Sequence, residues 1–429
     1  MNITLKDLIE HLLSRLRGVQ ESLGMDPTPP ADPEAPFAEL MDSMALVEFV
    51  GLLAEDCGVA PAVIEECAGK HFTTVTELAR AMHAVGLGPR SAQADAELPR
   101  PVRSSVQPAA PTGQCWLVGT AVRLPRTIQH STEIDHALHR PAGWLESHAG
   151  IRQRRIWADE EPLDAAADAG RECLHRAGLS VRDVGALCVT SEAPPVLAGL
   201  AAALHHGLEL GPQAVALEVG GACTGFLAAL WAAEAVLPRS ELILVIAVEA
   251  HSRHLSLGPG SAGEAAALFG DAAAACLIGD RPLGQDSIPV AEVVLGADGG
   301  AGRLLQVQGS AGNVELQMEG VALAARAVRV MAQATREMTQ RHGLAVADLA
   351  AVVAHGGNGR MAGLLARQLG LPAECVWSET SHTGNLGSAS LPVAWAAQSP
   401  PTKGPLVWTA VGAGLTWGVA LTGRPPPLD

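Results

Sequence analysis

Tyrosine is absent from this chain, and all aromatic residues together make up only 3% of it. A protein that stacks single-stranded nucleic acid on its rings needs more of them. Positive charge is also scarce: the 429 residues carry a formal net charge of −16, the wrong sign for a phosphate-backbone partner. The eight cysteines, at 57, 67, 115, 173, 188, 223, 276 and 375, include no CxxC pair and no metal-ligand spacing, so no metal is expected. Most lie in apolar stretches and read as buried reduced thiols. No uncharged run reaches the length of a bilayer span. The opening MNITLKDLIEHL is amphipathic, unlike a cationic and then apolar leader. A soluble, cytoplasmic protein is the expectation, with neither nucleic acid nor membrane among its partners.

What is present is apolar material, 48% of the chain, and length enough for two or three domains. The charge is uneven. Residues 1–87 hold 14 Asp/Glu against 5 Lys/Arg, a net of −9. Such an acidic module suits docking on basic patches, although solubility alone would also explain it. Apolar positions at helical spacing from Leu5 to Leu16, a break at DPTPPADPEAP, and further helical stretches near 43–58, 61–68 and 73–85 predict a four-helix bundle. From 88 to 112 the sequence is rich in Pro, Ala and Ser without apolar periodicity and reads as a flexible linker. As coil it spans about 28 Å, and as extended polyproline about 78 Å.

From 113 onward short apolar runs (CWLVGTAV, ALCVTS, AVALEV, LILVIAVE, AAACLIG, LAAVVAH, LVWTAVGAG) alternate with helical stretches at 163–177, 196–207, 224–236, 320–342 and 360–369. The alternation predicts a layered α/β domain with a substantially parallel sheet, and its length suits a duplicated core. In AVALEVGGACTGFLAALWAAEAVL a strand meets a Gly-Gly turn, Cys223 and an apolar helix. A thiol at a helix N-terminus is favoured as thiolate by the exposed N–H groups and the helix dipole. A buried structural cysteine is the alternative. His355 closes the strand LAAVVAH, and Asn385 lies in the Gly-flanked loop of HTGNLGSAS. Each alone is more often structural, but all three close strand-to-loop junctions, where α/β sheets place ligands.

GGACTGF, FGDAAAA, HGGNGR, GNLGSAS and GAGLTWG occur in the order and spacing of the beta-ketoacyl-ACP synthase III branch of the thiolase superfamily. GWLESHAGIRQRR is similar to that family's entrance loop. The resemblance covers about residues 113–425. It implies a thiolase-like, duplicated five-layer α/β fold over 113–429, with halves of about 113–285 and 286–429, and a homodimer. It also implies that Cys223 is the acylated nucleophile, and that His355 and Asn385 support decarboxylative condensation. Backbone N–H groups of Cys223 and Ala413 would form the oxyanion hole, each donor worth ~3–4 kcal/mol. Asp271 and Phe269 are expected to hold the loop beside the site, while His382 has no assigned role. Trp144 matches the tryptophan that stacks on the coenzyme A adenine, and Arg360 an arginine associated with carrier docking. The basic residues flanking that adenine are replaced by His148 and Gly263. Carrier-borne acyl and malonyl-type thioesters are therefore expected ahead of coenzyme A thioesters.

MDSMALVEFVGLLAEDCGV, at 41–59, resembles the attachment site of acyl-carrier proteins, with Ser43 as acceptor of a covalent 4'-phosphopantetheine. An ordinary N-cap serine is the plainer alternative. The expected organisation is an acyl-carrier domain (1–87), a linker (88–112) and a ketosynthase domain (113–429). The expected activity is loading of an acyl group on Cys223 and its condensation with a malonyl-type or beta-keto thioester, in polyketide or fatty-acid-like biosynthesis. Two alternatives stand beside it. One is an acyltransferase working between carriers or onto an O or N nucleophile with His355 as general base; the other is a non-catalytic scaffold partner.

Overall fold

The computed structural model describes residues 4–22, 32–37, 46, 49–50, 52–53, 56–57, 59, 63–64, 73–89, 115–196, 198–258, 261–284, 286–310, 313–318, 320–398 and 404–423. The chain divides into two compact units, Met1–Pro108 with Glu319–Arg326, and Ala109–Met318 with Ala327–Asp429.

The N-terminal unit is helical. In the helix Leu5–Ser22 the 3.6-residue period brings Leu8, Leu12, Leu16 and Val19 to one side, where they are buried with Phe49, Leu53, Ile64, Val75, Leu78 and Met82. The helix Val75–Ala84 is capped by Thr74, whose side chain accepts the Glu77 N–H at 3.2 Å. Asp56 is held by the first helix: it accepts Arg15 Nε at 2.7 Å and lies 2.8 Å from His11 Nε2. Ser43 and its neighbours, and residues 90–112 of the expected linker, lie outside the described residues.

The second unit carries strands β1 (Cys115–Arg123), β2 (Thr127–His130), β3 (Gln153–Ile156), β4 (Ala186–Thr190), β5 (Val215–Glu218), β6 (Leu242–Glu249), β7 (Ala272–Gly279), β8 (Ile288–Ala297), β9 (Leu305–Ser310), β10 (Asn313–Met318), β11 (Ala351–Ala354), β12 (Val376–Trp377), β13 (Leu406–Gly412) and β14 (Thr416–Thr422). Ten of them form one sheet in the order β12-β11-β13-β14-β8-β1-β7-β6-β4-β5. Reading outward from the central β1–β8 pair, one half runs β1-β7-β6-β4-β5 and the other β8-β14-β13-β11-β12. The same five-strand pattern occurs twice, each strand offset by seven, and the pairing directions repeat with it. The expectation of a substantially parallel sheet needs correction. β4·β5, β4·β6, β11·β12 and β11·β13 are parallel, but β1, β7, β8 and β14 join the sheet antiparallel.

Two helices, Gly225–Val236 and the short Ser390–Ala396, pack between the half-sheets, the first leaving Trp231 exposed. Phe226, Leu230, Leu391 and Trp395 share one core with Ile243 and Cys276 of the first half and Val353 and Trp408 of the second. Helices Pro162–Arg176 and Leu200–Gly207 cover the outside of the first half, and Met361–Leu369 packs against β12 of the second. Helix, half-sheet, central helices, half-sheet, helix make up the five layers. Gly225 lets the central helix start hard against β4, because a Cβ there would overlap Thr190 Oγ1. Among the described residues no helix is long and apolar enough to cross a membrane, and no group of three or more His, Cys, Asp or Glu could hold a metal ion.

Candidate active site

Cys223 follows edge strand β5 through a tight turn. Gly221 has φ 145°, and Ala222 has φ 50°, a left-handed conformation that costs a non-glycine residue about 1–2 kcal/mol. The 3₁₀ turn Ala222–Thr224 then leads into the central helix. Thr224 Oγ1 donates to Gly221 O at 2.6 Å and lies 3.0 Å from Thr416 Oγ1. Thr416 Oγ1 lies 3.2 Å from Ala413 O and 3.3 Å from Gly221 O, so one hydroxyl ties the Ala413 loop to the cysteine turn. A Cβ on Gly412 would come within 3.1 Å of the Cys223 nitrogen, a measure of how closely that loop lies against it.

The sulfur has a partner that sequence reasoning missed. Cys223 is 7% exposed, and its Sγ donates to Glu192 Oε2 at 3.2 Å. The other oxygen, Oε1, is 2.9 Å from His251 Nε2, and His251 Nδ1 donates to Gly270 O at 2.8 Å. Phe269 stacks on the His251 ring with centroids 4.7 Å apart. Beneath this row lies Glu249, fully buried at the end of β6. Its carboxylate accepts the N–H groups of Glu192, Ala193 and Ser388, with the hydroxyls of Ser191 and Ser388. One side chain thus fixes both the Glu192 loop and the turn after Asn385.

The electrostatics follow from this packing. Burial alone would push His251 down, but the Glu192 hydrogen bond and the charges of Glu249, Glu192 and Asp271 carry it up to about 9. Burial would raise Glu192, yet the bond and charge of His251 hold it below the ordinary carboxylate value. Glu249 is raised to about 7, chiefly by burial. Cys223 is pushed well above an ordinary thiol, first by burial and then by the charge of Glu192. The expected resting thiolate is therefore corrected. Desolvation and an adjacent carboxylate outweigh the N-terminus of the central helix, and Cys223 rests as a thiol.

His355 follows β11, buried, its N–H bonded to Thr409 O at 2.9 Å. Burial lowers its pKa to about 4, partly countered by the charge of Glu192, so the imidazole is neutral near pH 7; its Nδ1 has no hydrogen-bond partner among the described residues. Asn385 bridges to Phe269: its N–H donates to Leu268 O at 2.7 Å, and its carbonyl accepts from Gly270 at 2.9 Å. Its Oδ1 accepts the Gly387 N–H at 2.9 Å, which leaves the amide nitrogen as the end that can donate to a substrate. Gly387 has φ 50°, and a Cβ there would lie 2.5 Å from Glu192 Oε1, so the Asn385 turn lies directly against the Glu192 carboxylate.

Asp271, fully buried, accepts the Trp157 N–H at 2.8 Å and the Ser252 N–H at 3.0 Å. Trp144 opens a short helix whose first N–H groups are capped by the Asp135 carboxylate. Its indole stacks on His148 at 5.0 Å, and the Arg140 guanidinium carbon lies 5.3 Å from its centroid. Arg360 donates to the Ser147 carbonyl of the same helix, packed over Gly150. His382 is exposed. Glu192 and His251 had the same signal that marked His355: each follows the C-terminal end of a parallel strand, in ALCVTSEA and LILVIAVEAH.

Two family signatures match, 3-oxoacyl-(acyl-carrier-protein) synthase III over residues 217–299 and its C-terminal counterpart over 339–423. The chain is 31% identical to a beta-ketoacyl-(acyl-carrier-protein) synthase III of Oleidesulfovibrio alaskensis over 331 residues, covering 72% of this chain and 99% of that one. It is 33% identical to a 3-oxopimeloyl-(acyl-carrier-protein) synthase of Rhodothermus marinus, covering 72% and 93%. Its fold superposes with a TM-score of 0.66 on the priming beta-ketosynthase of the R1128 polyketide pathway, at 28% identity, covering 76% and 100%. With its duplicated thiolase-like sheet, the chain belongs to the 3-oxoacyl-(acyl-carrier-protein) synthase III family.

Proposed function

We propose that this carbon–carbon bond-forming acyltransferase loads an acyl group on Cys223 and condenses it with a malonyl-type or beta-keto thioester. The observation that carries the reading is the Cys223 turn braced against the Ala413 loop on one side, with Glu249 holding the Asn385 turn and Glu192 on the other. Backbone N–H groups of Cys223 and Ala413 hold the tetrahedral oxyanion. The extender then loses CO2, and the N–H groups of neutral His355 and of Asn385 donate to the enolate oxygen while its carbon attacks the acyl-cysteine. A neutral donor suits this task, since it stabilises the enolate without fully protonating it.

The substrates are carrier-borne thioesters. Residues 1–87 form a carrier domain bearing 4'-phosphopantetheine on Ser43, joined through the linker 88–112. An acidic, helical N-terminal unit supports this, together with the resemblance around Ser43. Trp144 and Arg360 form the entrance. The indole is flanked by the chain's own Arg140 and His148, which favours a carrier arm over the adenine of coenzyme A. The homodimer rests on edge strand β5, whose Val215 is exposed, and sedimentation tests it. The decisive experiment supplies pantetheinylated protein with an acyl donor and a malonyl carrier. CO2 and a lengthened acyl product are expected; their absence with several donors overturns the reading.

A further inference from the structure

We infer that Glu192 is the proton acceptor and donor of the acylation half-reaction, with His251 as the residue that positions it. The inference deepens the proposed function, since it names how the same cysteine is activated. Four observations carry it. Among the described residues Cys223 Sγ has one hydrogen-bond acceptor, Glu192 Oε2, at 3.2 Å. Burial of the sulfur keeps bulk water from serving instead. His251 engages Oε1 and is itself fixed through Nδ1 on Gly270 O, which turns the second oxygen to the sulfur. Gly387, where a Cβ would strike the carboxylate, leaves it the room it occupies.

The step balances without a further reactant. As Cys223 Sγ bonds to the thioester carbonyl carbon, its proton passes to Glu192 Oε2. The transfer is concerted with attack, because sulfur loses its hold on the proton only as the S–C bond forms. The tetrahedral intermediate collapses with cleavage of the donor's C–S bond. Glu192 then gives the proton to the departing sulfur, leaving a carrier thiol, an acyl-cysteine and the original carboxylate. A carboxyl group held by protonated His251 is acidic enough to return it. The charged or titratable groups facing Glu192 are Cys223, His251, His355 and Glu249, and Asp271 faces His251.

The test uses the full chain and two probes read by intact mass, acetyl-N-acetylcysteamine for acylation and iodoacetamide for alkylation of Cys223. Glu192→Gln should slow acylation about 100-fold. In the parent, alkylation should be flat between about pH 6 and 8, because the thiol proton moves within the pair rather than to solvent. In Glu192→Gln it should rise about tenfold per pH unit, because the thiolate then forms only by loss of the proton to water. A carboxylate acting merely as a fixed charge predicts the opposite: its removal lowers the thiol pKa, and the variant is acylated and alkylated faster than the parent. That result overturns the assignment, as does a parent rate that rises tenfold per unit throughout. Should the variant fail to fold, the parent profile alone decides. Alkylation uses no thioester, so absent condensation with a flat profile would refute the proposed function and leave Glu192 as the proton acceptor.

Discussion

Replacing Gly387 by alanine tests the packing of the site with a single methyl group. The new Cβ would lie 2.5 Å from Glu192 Oε1, 2.7 Å from Cδ and 2.9 Å from Cγ, at a backbone φ of 50°. Two costs arise, and they are separable. The left-handed conformation costs an alanine roughly 1–2 kcal/mol wherever it occurs. Three contacts at or below 2.9 Å cannot be tolerated, so Glu192 has to leave its place, which breaks the buried pair with His251 at about 3–5 kcal/mol. The substitution should therefore cost about 4–7 kcal/mol in the parent but only the conformational 1–2 kcal/mol in a Glu192→Ala background, a coupling of about 3–5 kcal/mol. Urea unfolding followed by tryptophan fluorescence isolates the right unit, because all eight tryptophans (116, 144, 157, 231, 377, 395, 408 and 417) lie beyond residue 112. If Gly387→Ala costs the same with and without the Glu192 side chain, the methyl group does not meet the carboxylate and the packing argument fails.

Further outcomes are expected. Asn385→Ala should form acyl-Cys223 at the parent rate, while CO2 release and product fall about 100-fold with loss of one enolate donor; parallel loss of acylation would place Asn385 in the first step instead. Ser43→Ala should abolish mass gain on incubation with coenzyme A and a phosphopantetheinyl transferase; a gain that persists removes Ser43 as the acceptor. For His251, raised in the folded state from 6.5 to about 9, the folded chain binds more protons than the unfolded one between those values. Its contribution to stability is complete below about pH 6.5 and is lost as pH rises through about 9, and His251→Gln should flatten that decline in urea titrations. His355, lowered to about 4, has the opposite sign: its contribution is present above 6.5 and disappears toward pH 4, which His355→Gln should remove.

Much of the architecture was legible because β-strands of a layered α/β protein are short apolar runs bounded by glycine or charge. All seven runs named from the sequence contain strands, and Cys223 and His355 follow the ends of β5 and β11, whereas Asn385, also expected at a strand end, lies between the helical turns Thr380–Thr383 and Gly387–Ala389. Strand direction was not legible, for a physical reason. The antiparallel β7 is buried at every position, as is β6, which pairs in parallel with β4, so burial pattern carries no mark of orientation. The short helix Trp144–Ala149 escaped notice because six residues hold too little periodicity, and Asp135, nine residues upstream of Trp144, supplies its cap.

The resting state of the sulfur was misread for a deeper reason. A cysteine before a helix announces a favourable dipole in the local sequence, whereas the opposing carboxylate comes from residue 192, thirty-one positions away, and its partner from residue 251. Dipole stabilisation is worth about 0.3–1 kcal/mol near an exposed terminus. A full negative charge at hydrogen-bond distance in a buried setting exceeds it several-fold even with an effective dielectric near 20. The local feature therefore gives way to the non-local one, and a thiol that rests protonated needs a proton acceptor at hand when it attacks. The carboxylate that suppresses the thiolate is also the group placed to take its proton. Suppression and activation are in that sense the same contact, at rest and in the transition state.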